Sequence, residues 1–319
     1  LLRPADHRGS LDRVTVALDA IEANIEYLVA SPLDDAVPSS PAASLVTVDS
    51  ETVRSSIAAA ALAAASEPGM AIGAKNGRRI VRATWHTGVP VAIKRLETLS
   101  DMSDPIMVDD VKREAEVWSS LQPHPNLTPL LAICIDTDIP VLVMPYMTNG
   151  NVASYAQLHP TKRHGLIADA ARGMAYLHAL GIFHGDLKPS NVLVDGQGCA
   201  RVSDLGLARM HASVRSSAVA TGVRWIAPER LRAGAKFRLE PDVFAFAMVV
   251  FEVPFDEVQD PRVIRGMMAD GERPSLDLVV QDHWRTLISR CWAHEPRLRP
   301  TFQTICDELD QFQSIQPSS

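Results

Sequence analysis

Residues 184–191 bring a carboxylate, an ammonium group and an amide within six positions of one another, in the sequence HGDLKPSN. Asp186 can act as a base toward a hydroxyl, Asn191 can bind a metal ion, and Lys188 can balance the charge of a migrating phosphoryl group. Thirteen positions after Asn191, Asp204 opens an Asp-Leu-Gly sequence and offers a second carboxylate. Hard oxygen ligands of this kind, shared with phosphates, suit Mg²⁺. The spacing therefore predicts phosphoryl transfer.

Five further features stand in a fixed order along the chain. They are Val-Ala-Ile-Lys ending at Lys94, the glutamate Glu114, Ala-Pro-Glu ending at Glu229, Asp-Val-Phe beginning at Asp242, and Arg-Leu-Arg-Pro around Arg299. Each string is too short to be informative alone. Together with the two features above, they make residues 69–312 similar to the eukaryotic protein kinase family.

The resemblance implies a role for each matching residue. The expected catalytic residues are Asp186, Lys188, Lys94 and Glu114, and the expected Mg²⁺ ligands are Asn191 and Asp204. Lys94 holds the α- and β-phosphates of ATP in the family, and a glutamate on the regulatory helix, here Glu114, is presented to that lysine. Glu229 and Arg299 are expected to form a structural ion pair that clamps the substrate loop.

Adenine recognition is expected at the strand before the hinge, where residues 141–144 read as a buried strand. Met144 is predicted as the gatekeeper, the Pro145 carbonyl as the acceptor from the adenine amine, and the Met147 N–H as a donor to the ring. The whole expected set for ATP is Gly73, Ile80, Ala92, Lys94, Met144, Pro145, Met147 and Leu193.

Two features indicate the acceptor class. Lys188 lies two residues after Asp186, a spelling that resembles serine/threonine kinases, and Thr221-Gly222-Val223-Arg224-Trp225 resembles their tyrosine-kinase-like branch. The sequences HGDLK at 184–188 and DVFAFAM at 242–248 are similar to those of fungal members of the family. We therefore expect a protein substrate that carries serine or threonine.

The glycine-rich loop departs from the family pattern. The family's glycines align with Gly73, Lys75 and Arg78, so only the first is present. Glycine permits close backbone approach to phosphate, and a side chain held in a glycine conformation costs about 1–3 kcal/mol. The sequence therefore predicts weakened ATP binding, which Lys75 or Arg78 can offset by contacting phosphate.

Gly185 stands where the family carries the arginine that binds a phosphorylated activation loop. Without that arginine, phosphorylation of the loop is not expected to be needed for its ordering. The hydroxyl side chains in this loop are Ser213, Ser216, Ser217 and Thr221.

The hydrophobic patterns predict an α+β arrangement, with a small β-rich part before a larger helical part. The resemblance implies that this is the bilobal protein kinase fold, with one regulatory helix in the small lobe. We expect an N-terminal extension over 1–66, a kinase domain over 67–313 with lobes at 67–146 and 147–313, and a tail at 314–319. The chain passes directly from Phe251-Glu252 to Val253-Pro254-Phe255, which predicts a shortened central helix.

Apolar residues between 11 and 28 recur every three or four positions, which predicts one apolar stripe on a helix. That stripe could dock on its own domain or bind a partner helix, and the sequence leaves both open. The Ala-rich residues 52–65 also predict a helix, which Pro68 and Gly69 would end.

Bulk composition excludes several classes. The 319 residues carry a net charge of −7, which argues against nucleic acid held by bulk charge. The four cysteines show no paired spacing, no signal peptide begins the chain, and no apolar run is long enough to insert in a membrane. We expect a soluble, cytoplasmic protein.

Three functions fit these patterns to different degrees. The leading hypothesis is an ATP- and Mg²⁺-dependent serine/threonine kinase. A pseudokinase that acts as a nucleotide- or protein-binding scaffold is the alternative, because the glycine-rich loop is incomplete. A small-molecule kinase is disfavoured, because the segment 221–229 and Arg299 serve protein substrates in the family.

Overall fold

The computed structural model describes twelve stretches of the chain, namely residues 71–75, 78–84, 89–95, 117–118, 120–134, 141–205, 222–231, 238–250, 254–255, 257–258, 260–279 and 281–315. The chain divides into two compact units, Leu1–Pro123 with Pro129–Tyr146 and His124–Thr128 with Met147–Ser319. The described part of the first unit is rich in strands, and that of the second is mainly helical. This confirms the predicted α+β class.

The first unit contains a five-stranded antiparallel sheet in the order β1-β2-β3-β5-β4. Its strands are β1 Ala71–Lys75, β2 Arg78–Thr84, β3 Pro90–Arg95, β4 Ala132–Cys134 and β5 Val141–Pro145. The strands predicted around residues 78–96 and 141–144 are therefore present.

One face of this sheet forms an apolar core. Ile93 lies opposite both Val81 and Val143, and all three side chains are at most 4% exposed. β-branched residues suit such a surface because their restricted rotamers pack well on a pleated sheet. This packing fixes the register of β3, and hence the position of Lys94 one residue further on.

The second unit contains six α-helices and a two-stranded ladder among its described residues. The helices are α1 Val152–Leu158, α2 Arg163–Ala179, α3 Glu240–Val250, α4 Pro261–Ala269, α5 Asp282–Cys291 and α6 Phe302–Ile315. The antiparallel strands are β6 Val192–Val194 and β7 Ala200–Val202.

Helix α3 lies in the core of the second unit, because every residue from 241 to 250 is buried. A helix that is apolar on all sides can be stable only when it is enclosed by other elements. Phe246 of α3 meets Phe302 of α6 edge to face, with ring centroids 5.3 Å apart. Helix α3 is thus a fixed base for the loops that contact it.

The segment His124–Thr128 belongs to the helical unit, a placement that no sequence pattern indicated. The Asn126 carbonyl accepts the Val202 N–H at 2.9 Å, and the Asn126 side chain donates to the Ala200 carbonyl at 3.2 Å. A Cβ atom at Gly173 of α2 would lie 2.4 Å from the Asn126 carbonyl oxygen. Only glycine allows α2 to approach this closely.

Several expectations fall outside the described residues. They are the helices over 11–28 and 52–65, Glu114, the activation-loop hydroxyls, and the chain at 251–253. Among the helices that the structure does describe, none combines the length and apolar character needed to cross a bilayer.

Candidate active site

Asp186 is the centre of a local hydrogen-bonded cluster. The Lys188 ammonium donates to Asp186 Oδ2, and Asn191 Nδ2 donates to the Asp186 carbonyl at 2.8 Å and to its Oδ2 at 3.1 Å. The 3₁₀ turn Pro189–Asn191 brings the amide back to the carboxylate. The Asp186 side chain remains 23% exposed, so a substrate can reach it.

The segment that carries Asp204 is hydrogen-bonded to the same cluster through its backbone. The Ser203 N–H donates to the Asn191 carbonyl at 2.8 Å, which places Asp204 directly after a residue bonded to Asn191. Asp204 has a φ of 63°, a conformation that costs a non-glycine residue roughly 1 kcal/mol. Such strain is typical of functional positions. The structure therefore joins the segments that carry the two predicted Mg²⁺ ligands by a backbone hydrogen bond.

Asp242, at the start of α3, anchors the loop that carries Asp186. Its Oδ2 accepts the His184 N–H at 2.7 Å, and its Oδ1 accepts the Gly185 N–H at 2.8 Å. His178 Nε2 lies 2.9 Å from the same Oδ2. Because the carboxylate is only 2% exposed, these charge-assisted bonds act in a low-dielectric environment and hold the loop firmly.

The buried His184 ring connects Asp186 with the Asp204 segment. Its Nδ1 accepts the Asp186 N–H at 3.2 Å, and its Nε2 lies 2.9 Å from the Ser203 carbonyl. An acceptor role for Nδ1 and a carbonyl beside Nε2 require the proton to be on Nε2. One neutral imidazole therefore fixes the backbone on both sides of the site.

In the first unit, the sheet register places four predicted ATP-binding residues on one face. Ile80 lies opposite Lys94, and Ala92 lies opposite Met144. Cross-strand partners share a face, and residues two apart on β3 do too, so all four point the same way. Gly73 is also paired with Ile80.

Lys94 is 2% exposed, which is unusual for an ammonium group. A buried charge is stable only with compensating partners, and the predicted one, Glu114, lies outside the described residues. The burial of Lys94 separates it from the ordinary lysine of a solvated strand.

The remaining predicted adenine contacts are positioned as follows. Pro145 ends β5 and is half-buried, and Met147 in the second unit is 7% exposed. The Gly150 N–H donates to the Met147 carbonyl at 3.2 Å, closing a turn after the hinge. Leu193 lies in β6 and forms a bridge with Asn151.

The segment aligned with the glycine-rich loop includes the paired strands β1 and β2. Lys75 and Arg78 are cross-strand partners, so only residues 76 and 77 connect β1 with β2. The register shifts between Ala71 and Gly73, which is the irregularity expected of a β-bulge.

The expected ion pair between Glu229 and Arg299 is confirmed. Arg299 donates through both terminal nitrogens to the two Glu229 oxygens, at 2.5 and 2.9 Å. It also donates to the carbonyls of Ala293 and Glu240, at 2.9 and 3.1 Å. Nearby, burial lowers the pKa of the Arg230 guanidinium, and the carboxylates of Asp242 and Glu229 oppose that shift.

The donor set fits Mg²⁺ shared with a nucleotide. Within the described stretches, no group of three or more His, Cys, Asp or Glu side chains could hold a metal by itself. The site instead offers the carboxylate of Asp204 and the amide of Asn191. Because the Asn191 nitrogen donates to Asp186, the amide oxygen is left as the atom that could bind a metal ion. Magnesium completes such a set with phosphate oxygens and water.

Sequence patterns did not indicate the contacts that His178, His184 and Arg224 make. His184 was visible within HGDLKPSN, but its bonds to residues on either side of the site depend on the folded loop. The bond between His178 and Asp242 spans 64 positions, which no local spacing indicates. Arg224 donates to backbone carbonyls 30 to 34 positions further along the chain.

Comparison with known families agrees with this geometry. The family model for protein tyrosine and serine/threonine kinases matches residues 69–309, which is most of the chain. The chain therefore belongs to the protein tyrosine and serine/threonine kinase family. Its α+β architecture is that of the protein kinase domain.

Individual relatives resemble the chain over about three quarters of its length. A probable serine/threonine-protein kinase of Dictyostelium discoideum is 30% identical over 256 residues, covering 75% of this chain and 19% of the relative. Human tyrosine-protein kinase FRK is 30% identical, covering 72% and 47%. The serine/threonine-protein kinase VIK of Arabidopsis thaliana is 31% identical, covering 77% and 60%. The match thus spans less than two thirds of each of these relatives.

Proposed function

We propose that the chain is an ATP- and Mg²⁺-dependent protein kinase that phosphorylates serine or threonine. The observation that carries this proposal is the hydrogen-bonded cluster around Asp186. Lys188 and Asn191 both donate to the Asp186 carboxylate, and the Asn191 carbonyl accepts the N–H of Ser203, the residue before Asp204. Family membership supports it. All four side chains belong to the helical unit, so their arrangement does not depend on the other unit.

Each residue has a separate task in the proposed reaction. Asp186 accepts the proton of the substrate hydroxyl and orients that oxygen, since its carboxylate is held by Lys188 and Asn191 and its side chain is 23% exposed. Lys188 donates to this carboxylate and would balance the negative charge of the transferring phosphoryl group. Asn191 and Asp204 would hold Mg²⁺, and Lys94 would bind phosphate oxygens. ATP supplies the phosphoryl group, and Mg²⁺ neutralises its charge.

The adenine would contact the sheet face that carries Ile80, Ala92 and Met144. Pro145 and Met147 would contribute a carbonyl and an N–H, Leu193 would contact the base, and Gly73 would lie beside the phosphates. Glu114 would pair with Lys94. The segment aligned with the glycine-rich loop departs from the family in sequence, because Lys75 and Arg78 stand at two of its glycine positions.

The acceptor class rests on Lys188 and on the relatives. The Dictyostelium and Arabidopsis relatives are named as serine/threonine kinases, whereas FRK is named as a tyrosine kinase. Residues 221–225 support the tyrosine-kinase-like branch, and the HGDLK spelling supports a fungal type. We further propose a cytoplasmic location, and for residues 11–28 a helix that docks on its own domain or binds a partner helix.

The intact cluster argues against a scaffold without activity, and one experiment separates the two. The purified full chain is incubated with Mg²⁺ and γ-labelled ATP, beside the variant Asp186→Asn, with myelin basic protein as acceptor. We expect label on serine or threonine from the wild type and at least about 100-fold less from the variant, because the base is lost. Equal labelling by both proteins would refute the proposal.

A further inference from the structure

The side chain of Arg224 joins two segments of the helical unit that are distant in sequence. Its guanidinium donates to the carbonyls of Pro254 and Val258, each at 2.7 Å, and also to that of Phe255. All three acceptors follow helix α3. One half-buried arginine therefore holds the backbone of this segment at three points.

The segment after α3 does not adopt its conformation by local preference alone. Phe255 has a φ of 56°, and its side chain is only 2% exposed. A bulky residue in the left-handed region is strained and persists only when tertiary contacts determine its conformation. The bonds from Arg224 to the carbonyls on either side of this strained position are contacts of that kind.

The other end of the connection lies beside Asp186. Arg224 belongs to the 3₁₀ turn Val223–Trp225, which begins directly after Gly222. A Cβ atom at Gly222 would lie 3.9 Å from Asp186 Oδ1, which is ordinary van der Waals contact. The backbone at Gly222, with φ of −106° and ψ of −3°, is accessible to any residue. The backbone conformation at this position therefore does not require glycine, although a glycine leaves space beside the Asp186 carboxylate.

We propose that Arg224 is a positioning residue for the protein acceptor. It holds the turn at 222–225 beside Asp186 by bonding it to the segment after α3, so the surface next to the carboxylate has one fixed shape. This inference rests on the proposed kinase function. It predicts an effect on binding of the acceptor and none on binding of ATP, because neither bonded segment carries a predicted nucleotide contact.

The test compares Arg224→Met, Arg224→Lys and the control Arg297→Met. Arg297 is 84% exposed in its side chain, and the bond that the structure describes for it is to Glu295. With myelin basic protein as the probe, we expect Arg224→Met to raise KM for the acceptor about tenfold or more, as loss of charge-assisted bonds implies. The KM for ATP should stay within about twofold. The KM for the acceptor in Arg224→Lys should lie between those of the wild type and Arg224→Met, because an ammonium group cannot form the same set of bonds as a planar guanidinium.

A second readout does not require turnover. Amide hydrogen exchange at residues 255–258 should become faster in Arg224→Met and remain unchanged in Arg297→Met. Unchanged exchange in Arg224→Met would overturn the inference even if no acceptor is phosphorylated. A rise in KM for ATP equal to that for the acceptor would also overturn it. Absence of phosphorylation by the wild type, with faster exchange in Arg224→Met, would instead count against the proposed kinase function.

Discussion

Gly185 has a left-handed backbone, with a φ of 74°. Its N–H and that of His184 both donate to Asp242, so two consecutive amides must point at one buried carboxylate. Glycine adopts this conformation without steric cost, whereas other residues pay a penalty for the contact of Cβ with the backbone. Gly185, which replaces the family's arginine, therefore lets the loop that carries Asp186 adopt this conformation without steric cost.

Replacing Gly185 with alanine should reduce the free energy of unfolding by about 1–2 kcal/mol, the cost of the left-handed conformation. Urea unfolding of the purified chain measures this change. The matched control is Gly165→Ala in helix α2, where φ is not positive and no described atom lies within 4 Å of the new Cβ. That control should be neutral or slightly stabilising. A Gly185→Ala variant as stable as the wild type would contradict the prediction.

Gly185 also cannot bind a phosphate group with its side chain. We therefore expect the combined change of Ser213, Ser216, Ser217 and Thr221 to alanine to leave at least about one tenth of the activity, since Gly185 replaces the arginine that binds a phosphorylated loop in the family. Initial rates on myelin basic protein test this, with Asp186→Asn as the inactive reference. A loss greater than tenfold would show that another side chain takes the role of the missing arginine.

Among the elements, the turn Pro228–Leu231 is joined to the segment before α6 by the pair of Glu229 and Arg299. The Arg299 side chain is fully buried, and that of Glu229 is 25% exposed. The Arg299 guanidinium lies 5.1 Å from the centroid of the Phe244 ring, and the Arg273 guanidinium lies 4.9 Å from the same centroid. The pair thus connects the substrate loop to the core helix α3.

Glu229→Gln should lower the free energy of unfolding by about 3 kcal/mol, because it leaves a buried guanidinium without its counter-charge. Thermal or urea unfolding gives the value. The control is Glu295→Gln, which breaks the exposed pair with Arg297 and should leave the unfolding midpoint where it was. Equal effects from the two substitutions would mean that the buried pair does not stabilise the domain.

At the scale of the whole molecule, the second unit encloses titratable groups between its helices. His164 of α2 meets Trp284 of α5 edge to face at 5.3 Å, and its Nε2 is buried without a hydrogen-bond partner among the described residues. Burial lowers its pKa from the usual 6.5, and His283 and Arg172 act in the same direction, against the Leu309 carbonyl and Asp310.

This shift sets the sign of a pH dependence. The folded chain binds a proton at His164 less readily than the unfolded chain, so the free energy of unfolding should decrease as pH falls below about 6.5. The decrease should end near the lowered pKa. Burial also lowers the pKa of His124, which contributes in the same direction.

Urea unfolding at pH 7.5 and 5.5 should show a smaller loss of stability in His164→Gln than in the wild type, because one buried proton acceptor has been removed. The exposed His294, replaced in the same way, is the control and should leave the loss unchanged. If His164→Gln loses as much stability between these pH values as the wild type, burial of His164 does not govern this part of the profile.

The sequence by itself determined the fold class, the family and the cluster at Asp186, because these depend on local information. Lys94 ends the short string Val-Ala-Ile-Lys, and Asp186, Lys188 and Asn191 lie within six consecutive positions. Only the tertiary structure decided which buried polar groups meet: Asp242 with the His184 and Gly185 amides, and Arg224 with the carbonyls after α3. Such pairs join residues 30 or more positions apart, and a polar side chain selects its partner only when packing has removed water from both.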